Sequence, residues 1–317
     1  MAKAPRDNPA DATFSVRRSE RMHFPDLGED LTLKLAAIPH YTARAHFGLW
    51  HARMGRPDFG DQRTIFTPLV LVELEATATR VDLAAPIRVS GRARLARVLD
   101  ASGALRGLAR EGFYELSQPG RGRLGAARFV NLFTRYHANP ARRRVTELPA
   151  AYGLGERPDR VLDLPSLEDV LDATPSGDLP RHDQAGAQPE WLALFRDSTP
   201  LAFHYAQTDA NRHVNGMEYV RLAQQAAAQA LVELAPLQEF WEARARILYR
   251  KPCFRGGRFR REARVTAEDG PEACFHTAVA IVPEGDARAA CGVALDWRKN
   301  PPRAPADDPA RNTDVPE

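Results

Sequence analysis

The sequence predicts an α+β fold in two halves, each running through one strand, one long helix and four more strands in that order. Three observations lead there. Segments of β composition recur in the same order around a long helical pattern, once before residue 149 and once after residue 195. A stretch rich in Pro, Gly and Asp, residues 150–194, separates the two runs. A chain of 317 residues is also long enough for two domains of ordinary size, each with its own core.

In the first half, residues 13–24 read as a strand and residues 30–54 as a helix. Strands follow at 65–81, 87–99, 105–116 and 126–137. The run Val70-Leu71-Val72-Glu73-Leu74-Glu75 has the β-branched and alternating composition of a half-buried strand. Gly120-Arg121-Gly122-Arg123-Leu124-Gly125 matches a dinucleotide fingerprint as a string, but residues 127–134 alternate like a strand where a pyrophosphate needs a helix start. A hairpin loop is the better reading, and no cofactor is expected. His40, His46 and His51 lie on the helix without metal-ligand spacing and read as ordinary, partly buried histidines, so no metal is expected either.

The second half begins with a strand-like segment at 200–208. The helix spans about 215–234, because Val214, Met217, Val220, Leu222 and the alanines of 226–230 fall near a 3.6 period with high propensity. Asn215 suits the cap, with Glu218 reaching back toward it. Strands at 241–251, 258–268, 272–282 and 288–297 follow, punctuated by turns at 252–257, 269–271 and 283–286. The organisation read from this is an N-terminal domain at 13–149, a linker at 150–194 with a short helical pattern near 166–171, and a C-terminal domain at 195–299. Tails at 1–12 and 300–317 are expected to be disordered.

No apolar segment approaches the roughly 20 residues of a membrane span, and the N-terminus lacks a signal-peptide core, so the expectation is a cytoplasmic protein without a membrane partner. The three cysteines, Cys253, Cys274 and Cys291, make a poor disulfide framework. Formal net charge is +3, carried mostly by Arg, with clusters at Arg17, Arg18 and Arg21, at 142–144 and at 255–264. Solvated surface is the plain reading of each cluster, and a landing site for an acidic protein or for phosphates is the sharper one. The arginines are not interleaved with stacking aromatics, which argues against nucleic acid.

Chemistry concentrates at Asp209-Ala210-Asn211-Arg212-His213-Val214-Asn215-Gly216, an acid, two amides and an imidazole just before the second helix. A helix start offers free N–H groups that polarise a carbonyl oxygen. A loop in which Asp209 and Asn211 satisfy local backbone groups is the competing reading. The segment resembles the acyl-acyl-carrier-protein thioesterases, whose signature is Asp-x-Asn-x-His-Val-Asn-Asn followed by Tyr, here Tyr219. Gly216 stands in place of the second Asn. Downstream, Tyr249-Arg250-Lys251-Pro252-Cys253 resembles that family's Tyr-Arg-Arg-Glu-Cys strand end, at a similar spacing.

The resemblance implies a tandem hot-dog fold, in which each half is a curled antiparallel sheet wrapped around one long helix. It also implies hydrolysis that frees a fatty or polyketide acyl chain from an acyl carrier protein or coenzyme A. Asp209 would be base or nucleophile. Asn211 and His213 would orient water and substrate or share the proton, and N–H groups near Asn215 and Gly216 would hold the oxyanion. Cys253 aligns with the family cysteine, although a lone strand cysteine is more often a small apolar residue. The N-terminal half would supply the acyl pocket, lined by Leu31, Leu33, Leu35, Ile38, Phe47, Leu49 and Trp50, with Tyr219 of the second half a further substrate contact; an apolar stripe at helical spacing is usually core, and packing is the plainer role for most of these. Two hot-dogs in one chain can form a monomeric pseudo-dimer, or the chain can be a homodimer.

Two departures open an alternative. Pro252 replaces a family acid and cannot transfer a proton. Gln224 and Gln225 stand near the place where related single-domain thioesterases put a Glu. A non-hydrolytic acyl-binding module, an acyltransferase or a dehydratase on the same fold would also fit. No Gly-x-Ser-x-Gly elbow is present, which argues against the serine-hydrolase route.

Overall fold

The computed structural model describes residues 14–28, 30–54, 65–99, 102–135, 140–148, 158, 160–171, 191–208, 213–268 and 274–300. The first half holds β1 (Phe14–Glu20), α1 (Ile38–Met54), β2 (Ile65–Phe66), β3 (Leu69–Ala76), β4 (Ile87–Leu99), β5 (Leu105–Gln118), β6 (Gly122–Leu132) and β7 (Thr134–Arg135). After β8 (Val161–Leu162) and α2 (Leu167–Leu171) come β9 (Ala193–Arg196), β10 (Leu201–Ala202) and α3 (Gly216–Leu231). The chain closes with β11 (Phe240–Tyr249), β12 (Arg258–Glu268), β13 (Cys274–Pro283) and β14 (Cys291–Lys299).

The strands form one 12-stranded sheet in the order β1-β4-β5-β6-β3-β11-β14-β13-β12-β10, with β8 beside β4 and β9 beside β12. The halves join where β3 and β11 pair antiparallel, Val72 opposite Ile247 and Glu73 opposite Arg246. The alternation of β3 and β11 turns Val72, Leu74, Ala245 and Ile247 toward one face. There they merge with Ile38 and Tyr41 of α1 and Val220, Ala223 and Ala227 of α3 into one core shared by both halves. α1 packs on β1, β4, β5 and β6, and α3 packs on β9, β12, β13 and β14. This is the tandem hot-dog architecture that the sequence predicts.

The two strands at the junction share a further feature. Register slips between Leu69 and Leu71 on β3 and between Glu242 and Arg244 on β11, so Val70 and Ala243 are the extra residues of two β-bulges. Val70 lies as far before Glu73 as Ala243 lies before Arg246, and Glu73 and Arg246 are partners at the junction. The halves therefore repeat one strand, bulge included.

Several boundaries differ from the expected ones. α1 starts at Ile38 rather than residue 30, because Leu31 takes the left-handed conformation (φ 64°), which no helix continues. Bridges Leu27–Leu33 and Thr32–Arg80 hold that loop, and a 3₁₀ turn, Leu35–Ala37, leads into the helix. The strand expected at 200–208 is cut short at Ala202. His204 N–H donates to the Gln207 side chain (2.8 Å) and Thr208 Oγ1 to the Tyr205 carbonyl (2.8 Å), which stabilises a 3₁₀ turn over Tyr205–Gln207 instead. The stretch at 150–194 is partly built into the fold: β8 runs parallel to β4, and Leu167 and Leu171 of α2 sit on Gly292, where any Cβ would meet Leu167 at 2.7 Å. Asn300 is also held, donating to the carbonyls of Glu239 (2.7 Å) and Gln238 (2.7 Å). Residues 1–12 and 301–317 lie outside the described residues.

The Gly120-to-Gly125 string is the expected hairpin between β5 and β6, with Gly120 and Gly122 at φ 75° and 84°, where side chains are disfavoured. Among the described residues no helix is long and apolar enough to cross a membrane.

Candidate functional site

Asn215 caps α3: its Oδ1 accepts from the Met217 N–H at 2.9 Å, and its own N–H donates to the Gln207 carbonyl at 2.8 Å. Glu218 does not reach back to the cap, because its carboxylate pairs with Arg221 one turn on (2.7 Å). The Glu218 N–H donates to the Asn215 carbonyl (2.9 Å). The N–H groups of Asn215, Met217 and Glu218 are thus engaged, and among the described residues none accepts from the Gly216 N–H. Of the two N–H groups expected at the oxyanion, that of Asn215 is therefore engaged with Gln207.

Two antiparallel bridges fix the chain before this cap. Thr208 pairs with Val214 and His213 with Phe254, while the Val214 N–H donates to the Cys253 carbonyl at 2.9 Å. The His213 ring is partly buried and stands edge-on to Phe254, centroids 5.1 Å apart. Asp209 and Asn211 lie outside the described residues, between the bridged positions Thr208 and Val214.

Beneath the cap, Tyr249 at the end of β11 donates to the Gly216 carbonyl (2.8 Å). A Cβ at Gly216 would come within 3.1 Å of the Tyr249 hydroxyl and 3.6 Å of Leu69, so the glycine that departs from the family signature makes room for Tyr249. Tyr219, expected to contact substrate, is 2% exposed and its hydroxyl accepts from the Cys253 N–H at 3.0 Å. It fastens the segment after β11 to α3. Burial raises the pKa of both tyrosines well above the ordinary range, so both stay protonated.

Cys253 is 6% exposed, and burial pushes its thiol up despite hydrogen bonding to Tyr219 and the nearby Lys251 and Arg250. A neutral buried thiol is a poor nucleophile, so geometry gives Cys253 the place of a packing residue. Pro252 is exposed beside it. Lys251 and Arg250 are drawn off to Asp286, whose carboxyl the Lys251 hydrogen bond, with the Arg288 N–H and Arg250, holds down at about 2.

In the first half, Leu33, Leu35 and Ile38 are buried in the shared core, whereas Phe47 is 48% exposed, with the Arg110 guanidinium 5.8 Å from its ring centroid. Phe47 therefore faces outward and does not line an enclosed tunnel. Trp50 lies on α1, its side chain outside the described ones. His46 is a core histidine: its ring nitrogens meet the Tyr114 hydroxyl (3.0 Å) and Asn131 Oδ1 (2.8 Å). Burial, assisted by Arg110, lowers it to about 3, so it is neutral.

Two pairings escape a reading of the sequence. The acids of residues 26–30 do have an imidazole, since Asp26 meets His40 Nδ1 (3.3 Å) and accepts from the Tyr41 hydroxyl (2.6 Å). Glu242 on β11 turns toward α3 and accepts from the Gln224 side-chain amide. Burial, which outweighs that bond, raises Glu242 from 4.5 to about 7. Simple alternation would have put Glu242 on the outer face, and no local signal announces the bulge.

A trough of about 930 Å³ lies elsewhere, lined by Arg92, Phe113, Arg128, Glu73, Arg246 and neighbours. Register places these side chains on the sheet face away from α1 and α3, so the trough is separate from His213.

No protein-family model and no curated protein sequence matches the chain. Solved structures match it in fold. A 12:0-ACP thioesterase from Umbellularia californica is 14% identical, with a TM-score of 0.59 over 90% of this chain and 94% of that one. A Lactobacillus plantarum protein assigned as an oleoyl thioesterase is 13% identical, with a TM-score of 0.58 over 92% of this chain and 96% of that one. Both likenesses span the two halves, so the fold of acyl-ACP thioesterases is the fold of this chain.

Proposed function

We propose that this protein hydrolyses a thioester, releasing a fatty or polyketide acyl chain from an acyl carrier protein or coenzyme A. The observation that carries this reading is the α3 start, where bridges at Thr208–Val214 and His213–Phe254 fix His213 just ahead of the Asn215 cap and Gly216. The tandem hot-dog fold shared with a 12:0-ACP thioesterase supports it.

In this reading the thioester carbonyl oxygen meets the Gly216 N–H and the positive end of the α3 dipole, which stabilise the charge of the tetrahedral intermediate. Asp209 takes the proton of the attacking water or itself attacks the carbonyl, and His213 with Asn211 orients water and substrate. Cys253 and Tyr219 act indirectly, through the bond that ties the segment after β11 to α3.

One observation favours a second reading. Pro252 is exposed where the resembling family carries an acid, which fits an acyl-binding, transferase or dehydratase role. Thiol release from acyl-carrier-protein and acyl-coenzyme A thioesters decides between them. Hydrolysis predicts free acid and thiol in equal amounts, lost in Asp209→Asn and kept in Cys253→Ala. A folded wild type that binds acyl thioesters and releases no thiol refutes it.

A further inference from the structure

The fold contains two equivalent helix starts, and the proposed reaction uses one of them. The pair Glu73–Arg246 lies at the β3–β11 junction, and matching bulges at Val70 and Ala243 set the equivalence of the two strands. Leu69, the residue before the first bulge, therefore corresponds to Glu242, the residue before the second. Leu69 approaches the α3 start, within 3.6 Å of a Cβ placed on Gly216. At the other helix start, the 3₁₀ turn Leu35–Ala37 that leads into α1 packs against β11, β3 and α3.

The bulge decides which way Glu242 points. Without Ala243, alternation would carry Glu242 to the outer face with Arg244 and Arg246. With it, Glu242 stands opposite Trp297, which is buried, and turns inward to Gln224 of α3. Re-aiming a side chain is a recognised use of bulges near functional sites. Among the described residues Glu242 has no cation within ion-pair distance, so the carboxyl is kept inside at an electrostatic cost. A leucine fills the corresponding place in the first half without that cost. A polar group held where an apolar one would stabilise the fold more points to recognition.

The ligand chemistry follows from position. Gln224 lies about 12 Å along α3 from Gly216 at 1.5 Å per residue. The layer between is apolar, including Val220, Ala223 and Ala245. An acyl chain whose carbonyl sits at Gly216 and which runs along α3 thus meets hydrocarbon first and then one hydrogen-bonding pair. We propose that Glu242 and Gln224 form a recognition site for an oxygen substituent, hydroxyl or keto, within the acyl chain, which makes oxygenated chains the preferred substrates over plain alkyl ones. This rests on the thioester reading.

The test compares a saturated acyl-coenzyme A with its mid-chain hydroxylated counterpart of equal length, using the full chain and the Glu242→Leu and Glu242→Gln variants. A hydrogen bond to a carboxyl of this kind is worth about tenfold or more in kcat/KM. Wild type is expected to favour the hydroxylated thioester by about that factor, and Glu242→Leu, which copies Leu69, to abolish the preference. Glu242→Gln, which keeps a polar group, is expected to retain part of it. Equal wild-type rates, or a parallel change for both substrates, overturn the proposal. Binding of the two free acids, followed by quenching of tryptophan fluorescence beside Trp297, needs no turnover. If thiol release is absent altogether, the hydrolase reading fails, and the binding comparison still decides this one: a hydroxyl preference lost in Glu242→Leu upholds it, and equal affinities sink it.

Discussion

Replacing Glu242 by Gln should make the protein more stable at neutral and alkaline pH and leave it unchanged in acid. Burial raises this carboxyl from 4.5 to about 7, opposed only in part by the Gln224 amide. A raised folded-state value means that the folded protein holds its proton more tightly than the unfolded chain. The contribution is present in full below pH 4.5 and is lost as pH rises toward 7, where the unfolded chain has already ionised. At about 1.36 kcal/mol per tenfold in proton affinity the loss is roughly 3 kcal/mol. Glutamine keeps the shape and a hydrogen bond to Gln224 but never ionises. Urea unfolding of both proteins between pH 4.5 and 8 measures the difference, with acids common to both cancelling. The Gln variant should match wild type at the acid end and exceed it by up to roughly 3 kcal/mol at pH 8. A gap of the same size at both ends would refute the buried-carboxyl argument, since it would show packing rather than ionisation at work.

Other outcomes follow from contacts already described. Gly216→Ala puts a Cβ 3.1 Å from the Tyr249 hydroxyl and should cost about 1 kcal/mol, less when combined with Tyr249→Phe, as a double-mutant cycle would show. Glu111 is fully buried on the outer face between Arg94 (2.9 Å), Arg128 (2.7 Å) and Arg160 (3.3 Å). Glu111→Ala removes one partner from each guanidinium, while Arg128 keeps Glu73 (2.7 Å) and Arg94 and Arg160 reach solvent, and should lower the urea midpoint by an amount equivalent to about 1–2 kcal/mol. The Cys253 thiol should react with a thiol reagent in the native protein far more slowly than in urea, and rapid native labelling would show that the segment after β11 opens.

Much of this was legible because local and tertiary demands agree. The strands at 87–99 and 258–268 fall at their expected bounds, since alternation and flanking turns coincide there. Asn215 caps α3 as its side-chain chemistry requires. What failed involved partners distant in sequence or backbone states no residue type announces. The helix expected from residue 30 was spoiled by Leu31 at φ 64° and by bridges to Leu27 and Arg80. Asp26 found its imidazole on α1, and Glu242 was turned inward by an extra residue in its strand. Phe47 sits on an apolar helical pattern but faces solvent beside Arg110, because the sheet covers only one side of α1.

The two helix starts also explain why the proposed chemistry occupies one half. Bridges Leu27–Leu33 and Thr208–Val214 enclose loops of equal length, followed by partner bridges from Thr32 to Arg80 and from His213 to Phe254. Matching the loops residue by residue puts Gly28 at the place of Asp209, Asp30 at that of Asn211 and Thr32 at that of His213. In the first loop the Asp30 carboxylate accepts from both the Thr32 N–H (3.0 Å) and its hydroxyl (2.7 Å). It is consumed in holding the turn, with no imidazole at Thr32 to pass a proton. The first loop thus carries a structural Asx-type closure, whereas the matching segment of the second half bears the residues proposed to handle the proton. Restoring histidine at Thr32 alone should therefore create no second reactive centre, because Gly28 supplies no base. Kinetic stoichiometry with an active-site titrant would test this: one acyl group bound per chain in wild type and in Thr32→His alike, whereas two per chain in the variant would show that the missing imidazole was the sole difference.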